Sequence, residues 1–152
     1  MSATTIWFLN TLVQVQVAQA DGNDGLSVLE HRAPFGDSPP LHIRHTEDEI
    51  FHILEGEFRV QVANDIRRHG PGTTLLGLKG IPHSYRVESS AGGRFLTVTA
   101  HGDFERFVRT VGRQAQQQEL PPLMGPPSPE AIEQLGAVAR SCGIELVGPP
   151  LQ

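Results

Sequence analysis

The segment "GDSPPLHIRHTEDEIFHILEGEF", residues 36–58, concentrates reactive side chains between a Pro-Pro turn and a glycine. It contains three histidines, one arginine and a run of carboxylates, flanked by apolar residues. Histidine and glutamate at close spacing can bind a metal ion. An arginine lies among the possible ligands, however, and a second cation opposes metal binding. The segment therefore leaves two alternatives, a metal site or an arginine-carboxylate pair in its place.

The alternation of side chains in two neighbouring strands brings part of this segment together. In a strand over residues 41–45, His42 and Arg44 point to one side, because successive side chains alternate between faces. The chain then reverses through an acidic turn, and the next strand places Glu49 and Phe51 on a common face. The pattern predicts that His42, Arg44 and Glu49 face one shared space.

A distant histidine is the natural partner of this group. In "KGIPHSYRV", residues 79–87, Gly80 and Pro82 indicate a turn, and His83 opens the strand that follows. Two imidazoles and a carboxylate suit Zn, Mn, Fe, Co or Ni. A pair of hydrogen-bonded core histidines is the alternative that the residues alone leave open.

The body of the chain is predicted to be all-β. "TLVQVQVAQ", residues 11–19, alternates apolar and polar side chains, and further short apolar runs follow between Gly, Pro, Asn and Asp. No helical pattern precedes residue 103, which indicates an antiparallel sandwich or barrel. With 152 residues the chain is expected to form one domain, 1–152, with its core barrel at about 10–102.

The remaining residues, 103–152, are predicted to form a helical extension. "DFERFVRTVG", residues 103–112, has apolar side chains at helical spacing. A second helix is expected after Ser128, which suits an N-cap, and Pro129, which suits the first helical position. Both short helices are expected to pack on the outside of the sheet.

Composition limits the partners. The net charge is -5, from 17 acidic and 12 basic residues, and the longest basic run is Arg67-Arg68, so a nucleic-acid partner is not expected. No apolar run reaches the roughly 18 residues of a membrane span. Cys142 is the only cysteine, so no internal disulfide can form. These features predict a soluble cytoplasmic protein without a membrane partner.

The spacing of these residues resembles the two motifs of the cupin superfamily. The first motif reads G(x)5HxH(x)3,4E(x)6G, and four residues match it, with Arg44 where the second histidine belongs: Gly36, His42, Glu49 and Gly56. The second reads G(x)5PxG(x)2H(x)3N and matches at Gly72, Gly80 and His83, with Leu78 and Val87 in place of proline and asparagine. The chain is also similar to small single-domain cupins that are often described as quercetin 2,3-dioxygenase-like.

The resemblance implies a double-stranded β-helix, the cupin jelly-roll barrel, with its site in the barrel mouth. It implies a divalent transition metal (Fe, Mn, Ni, Co or Zn) on His42, Glu49 and His83, with His45 as a substitute ligand if a β-bulge turned it inward. In a dioxygenase-like enzyme acting on a small aromatic or enol substrate, Glu49 would take the substrate proton. Phe51, Leu78 and Tyr85 are expected to line the pocket.

The alternative is a binding protein without metal. Arg44 then pairs with Glu49 or binds the carboxylate of an organic anion, and the barrel serves as a small-molecule pocket. A homodimer is also expected, because Ile50 and Leu54 make the strand "EIFHILEG", residues 49–56, apolar on both faces. His31 is predicted to be a surface or strand-end residue, and Glu47 a solvated residue of the acidic turn.

Overall fold

A computed structural model describes residues 4–152 as two antiparallel sheets and two helices. The strands are β1 Thr5–Phe8, β2 Thr11–Val17, β3 Ser27–Ala33, β4 Leu41–Arg44, β5 Glu49–Glu55, β6 Phe58–Val62, β7 Asp65–His69, β8 Thr74–Gly77, β9 His83–Val87, β10 Gly93–Thr99, β11 Arg113–Gln114 and β12 Ile144–Gly148. The helices are α1 Asp103–Val111 and α2 Pro129–Ser141. The mainly β architecture with two C-terminal helices confirms the predicted fold class.

The order of strands places the motif residues on both sheets. The seven-stranded sheet has the order β11-β1-β2-β3-β10-β5-β8, and the five-stranded sheet has the order β12-β4-β9-β6-β7. Strands β4 and β9 are neighbours in the smaller sheet, whereas β5 lies between β10 and β8 in the larger one. Residues from β4, β5 and β9 therefore meet in the space between the sheets.

Burial follows the alternation that the sequence predicted for β4 and β5. His42 and Arg44 are buried in β4, and Glu49, Phe51 and Ile53 are buried in β5. The interior contains two apolar clusters, and the one beside the motif residues is mainly aromatic. Its members are Ala33, Phe51, Ile53, Phe58, Val87 and Phe95. Each large side chain buried there stabilises the fold by about 1.5–3 kcal/mol.

The C-terminal extension is part of the barrel rather than a cover on its outer face. β12 pairs with β4, with Ile144 opposite Arg44, and β11 pairs with β1. Phe104 and Phe107 of α1 are buried in the second apolar cluster together with Phe8 of β1. The prediction that the helices pack outside the sheet is wrong, because their apolar faces complete the interior.

Glu47 fixes the beginning of α1. Its side chain is buried and accepts hydrogen bonds from the backbone N–H groups of His101, at 2.9 Å, and Phe104, at 2.6 Å. The first N–H groups of a helix lack partners within the helix, and a carboxylate also complements the positive end of the helix dipole. The prediction that Glu47 is a solvated turn residue is therefore wrong.

The outer face of the larger sheet exposes an apolar pair. Ile50 of β5 is 40% exposed and lies opposite Leu76 of β8, which is 56% exposed. Leu54, the other residue named for a dimer contact, is half-buried. The homodimer stays a prediction. Within residues 4–152, no helix combines the length and the apolar character that crossing a membrane requires, and the cytoplasmic location also stays a prediction.

Candidate functional site

His42 and His83 face each other across two neighbouring strands of the smaller sheet. They are directly paired in the β4–β9 register, and their ring centroids lie 4.4 Å apart at an interplanar angle of 63°. Both rings point to the interior, because side chains alternate along β4 and a turn precedes β9. The two histidines, which are distant in the sequence, are therefore adjacent in the fold.

Hydrogen bonds fix the tautomers of both imidazoles. His42 Nδ1 lies 2.8 Å from the carbonyl oxygen of Pro40, and His83 Nδ1 lies 3.3 Å from that of Ile81. A carbonyl can only accept, so Nδ1 carries the proton and Nε2 keeps its lone pair. Burial lowers the pKa of both rings and Arg44 adds to the effect, although Glu49 opposes it at His83. Both histidines are neutral hydrogen-bond acceptors at Nε2.

Arg44 occupies the position of the missing motif histidine and pairs with Glu49. The contact joins Nη2 of Arg44 to Oε2 of Glu49 across the two sheets, and both residues are buried, at 4% and 5% exposure. An arginine side chain carries a positive charge in proteins. Moving two charges out of water costs free energy unless they pair closely with each other. Arg44 and Glu49 form such a pair.

The pair leaves hydrogen-bonding capacity unused. Within residues 4–152, Nε and Nη1 of Arg44 have no hydrogen-bond partner, and neither does Nε2 of His83. The guanidinium carbon lies 4.0 Å from the ring centroid of Phe104 in α1, so an aromatic face covers one side of the cation. Buried polar groups are nearly always hydrogen-bonded, so these atoms point to a polar molecule in the adjoining space.

That space is a cavity of about 100 Å³ between the sheets. Several aromatic residues line it, namely Phe51, Tyr85, Phe95, Phe104 and Phe107, beside His42, Arg44, Glu49 and His83. Phe51 and Tyr85, which were expected to line a pocket, are among the residues that line this cavity. The sequence did not predict that Phe104 and Phe107 of α1 line the cavity, because the apolar pattern of a helix does not indicate which face of a sheet the helix covers.

Two predicted site residues lie elsewhere. Leu78 is 51% exposed and does not line the cavity, because β8 ends at Gly77 and Leu78 follows in a turn. His45 is exposed, and its Nε2 lies 2.9 Å from Oε1 of Glu145 on the surface. β4 ends at Arg44, so no bulge turns His45 inward.

His31, predicted to lie at the surface or at a strand end, is a buried residue that lines the cavity. Its Nε2 lies 2.9 Å from the hydroxyl of Thr97, and its ring stacks on Phe95 at a centroid distance of 4.5 Å. Burial lowers its pKa to about 3, with a smaller contribution from Arg44. The alternation of "LSVLEHR" carries a signal for an inward His31, because Leu29 and His31 share a face.

Asp37 and Tyr85 form a second polar contact at the edge of the cavity. The Tyr85 hydroxyl donates to Oδ2 of Asp37 at 3.3 Å. Burial raises the pKa of Asp37 to about 6, against the opposing effect of this hydrogen bond. Burial also raises the pKa of Tyr85, with a further contribution from Asp37, so its hydroxyl keeps its proton.

We expect Asp37→Asn to stabilise the protein at pH 8 by about 1–3 kcal/mol and to have little effect near pH 4. The folded state binds the Asp37 proton more tightly than the unfolded state, so wild type loses stability as the pH rises from about 4 to about 6. Asparagine has no proton to lose. Urea denaturation of both proteins at pH 4 and pH 8 measures the difference, and an equal difference at both pH values would contradict the prediction.

The predicted metal triad is not assembled in this arrangement. Within residues 4–152, no group of three His, Cys, Asp or Glu side chains has the geometry to hold a metal ion. His42 and His83 are adjacent, but Glu49 is paired with Arg44, whose fixed positive charge lies in the same cavity. The residues present therefore do not fit a resident divalent metal.

Comparison with known proteins agrees with the barrel. The sequence profile of the cupin domain matches residues 28–99, from β3 to β10. The matched segment is therefore similar to a cupin domain over just under half of the chain. The match includes His42, Glu49 and His83 and ends before α1, so the helices that complete the cavity lie outside it. No curated protein matches the sequence.

Solved structures with the same fold differ widely in sequence. An RmlC-like cupin from Shewanella frigidimarina has a TM-score of 0.54 at 19% identity, covering 64% of this chain and 83% of that one. The polyketide cyclase RemF from Streptomyces resistomycificus gives 0.55 at 22%, covering 65% and 72%. An oxalate decarboxylase from Lactobacillus farciminis, in a formate complex, gives 0.58 at 23%, covering 68% and 32%. At these identities the likeness establishes the cupin fold and leaves the activity open.

Proposed function

We propose that this cupin domain binds a small organic anion on Arg44 and does so without a resident metal. The observation that carries the proposal is the buried guanidinium beside the cavity. It has one carboxylate partner, and two of its nitrogens find no hydrogen-bond partner in residues 4–152. A ligand carboxylate would supply acceptors for these nitrogens through charge-assisted hydrogen bonds, the stronger class of hydrogen bond in proteins.

Arg44 favours an anion over a metal for an electrostatic reason. A divalent ion between His42 and His83 would lie in the same cavity as the guanidinium and would have to compete with it for Glu49. At an effective dielectric constant of about 20 and a separation of about 5 Å, the repulsion is roughly 6–7 kcal/mol before relaxation. An anion, in contrast, would be attracted by the positive charge of Arg44.

The dimensions of the cavity limit the ligand. Cavities of about 150 Å³ hold one benzene ring, and this one measures about 100 Å³. A substrate of flavonol size does not fit this space, so the quercetin dioxygenase-like specificity implied by the resemblance has no support in the geometry. By the same measure, a ligand of about four or five non-hydrogen atoms does fit.

Purified protein is expected to retain less than 0.1 metal ion per chain after dialysis and to bind acetate with a dissociation constant of about 0.1–10 mM. The affinity is modest because a four-atom ligand gains at most about 1.5 kcal/mol per non-hydrogen atom. Elemental analysis measures the metal, and calorimetric titration measures acetate binding.

Matched variants separate the site from general anion binding. Arg44→Met is expected to weaken acetate binding at least about tenfold, because a hydrogen bond to a charged group is worth about 1.5–3 kcal/mol. Arg59→Gln is the control: Arg59 also pairs with a carboxylate, that of Glu88, but does not line the cavity. Stoichiometric metal in the dialysed protein would instead favour the metal-dependent oxygenase, whose imidazole ligands would be His42 and His83.

A further inference from the structure

We propose that the cavity selects small 2-hydroxycarboxylates over plain carboxylates and over dicarboxylates. The inference rests on the proposed anion site and adds the second group that the ligand must carry. It follows from two kinds of polar atom beside the cavity that lack a hydrogen-bond partner among residues 4–152, donors on Arg44 and an acceptor on His83.

The donors belong to Arg44. Its Nε and Nη1 each carry hydrogen that no residue in 4–152 accepts, and the residue is only 4% exposed. Glu49 reaches Nη2 and leaves these two nitrogens free. An anionic group with several acceptor oxygens is the complement of a guanidinium, and a carboxylate is the smallest organic example.

The acceptor belongs to His83. Nε2 of His83 has a lone pair because Nδ1 donates to Ile81, and this Nε2 has no partner among the described residues. Oε2 of Glu49, in contrast, is already in contact with Nη2 of Arg44. Nε2 of His83 requires a donor, and a bare carboxylate has none. A hydroxyl on the carbon next to the carboxylate supplies this donor, and a ligand of that kind is small enough for the cavity.

The charges and acceptor atoms around the cavity disfavour two related ligands. The second carboxylate of a dicarboxylate would bring an anion with no proton against Glu49 Oε2 and His83 Nε2, where acceptor faces acceptor. The ammonium group of an amino acid has donors but would add a positive charge to the cavity that already contains Arg44. A neutral hydroxyl avoids both conflicts, and its carbon packs against Phe51 and Phe95.

Calorimetric titration of the wild-type protein with acetate, glycolate, oxalate and glycine tests the selectivity directly. Glycolate is expected to bind at least about tenfold more tightly than acetate, and oxalate and glycine more weakly than glycolate. If acetate binds and glycolate is no tighter, or if oxalate or glycine is tighter, the proposal is overturned while the anion site stands. If none of the four binds, the anion site itself fails.

A variant pair assigns the hydroxyl contact. His83→Phe keeps an aromatic ring in place and removes Nε2, so the ratio of glycolate to acetate affinity is expected to fall to about 1–3. His45→Phe is the control, because His45 lies on the surface and contacts Glu145. If His83→Phe does not fold, the ligand series on wild type still decides the proposal. An unchanged ratio in folded His83→Phe would overturn the assignment to His83.

Discussion

Arg44→His is expected to raise the affinity of the pocket for Ni²⁺, Co²⁺ or Zn²⁺ at least 100-fold. The new imidazole stands on the face of β4 that carries His42. Glu49 loses its arginine partner and becomes free to bind the ion. The substitution also removes a repulsion of roughly 6–7 kcal/mol at about 5 Å separation and a dielectric constant of about 20, of which part is lost to relaxation.

Metal content after dialysis and calorimetric titration measure the change, with wild type alongside. Thermal unfolding gives a second measure, because an ion that binds only the folded state raises the melting temperature with its concentration. Arg59→His controls for histidine at an arginine position outside the cavity. Full metal occupancy in wild type, with no gain in Arg44→His, would show that Arg44 turns away from the ion's position.

Arg44→Met is expected to lower the free energy of unfolding by about 3–5 kcal/mol, because Glu49 is left as a buried charge without a partner. Arg44→Met/Glu49→Leu is expected to restore the stability to within about 1 kcal/mol of wild type. Replacing both members of a buried ion pair by apolar residues of similar volume is often neutral or stabilising.

Urea denaturation at pH 7 of wild type, both single variants and the double variant completes a double-mutant cycle. The ion pair between Arg94 and Glu30, outside the cavity and more exposed, provides a comparison. Its coupling free energy in the same kind of cycle is expected to be less than about 1 kcal/mol. A double variant that is as unstable as Arg44→Met would contradict the prediction, because it would assign the loss to the packing of Arg44 on Phe104 rather than to the isolated charge.

The placement of Arg44 and Glu49 was open to prediction because it depends on local geometry alone. Alternation along a strand fixes the face of each side chain once one inward residue is known. The buried residues of β4 and β5 follow this rule. The barrel itself was predicted from the spacing of the motif glycines and histidines, which resembles that of cupins. The same spacing indicated that His42 and His83 share a site, and the two residues are paired in the fold.

What the sequence did not predict depends on contacts between distant segments. Glu47 is buried because it accepts hydrogen bonds from the backbone N–H groups of His101 and Phe104. These residues lie at the start of α1, more than fifty positions further along the chain. The acidic turn around it gives no sign of that partner. Leu78 holds a motif position but lies beyond the end of β8, and the motif does not specify where that strand stops.

The origin of Phe104 has a consequence for how such a pocket can diverge. The cupin profile ends at residue 99, yet the aromatic ring that covers Arg44 comes from α1, just beyond it. Phe107 and Leu135, which also line the cavity, come from the same tail. The volume of the cavity can therefore change through mutations in the tail while the motif residues of the barrel stay constant. In this chain, the barrel supplies the charged residues of the cavity, and the tail supplies part of its apolar lining.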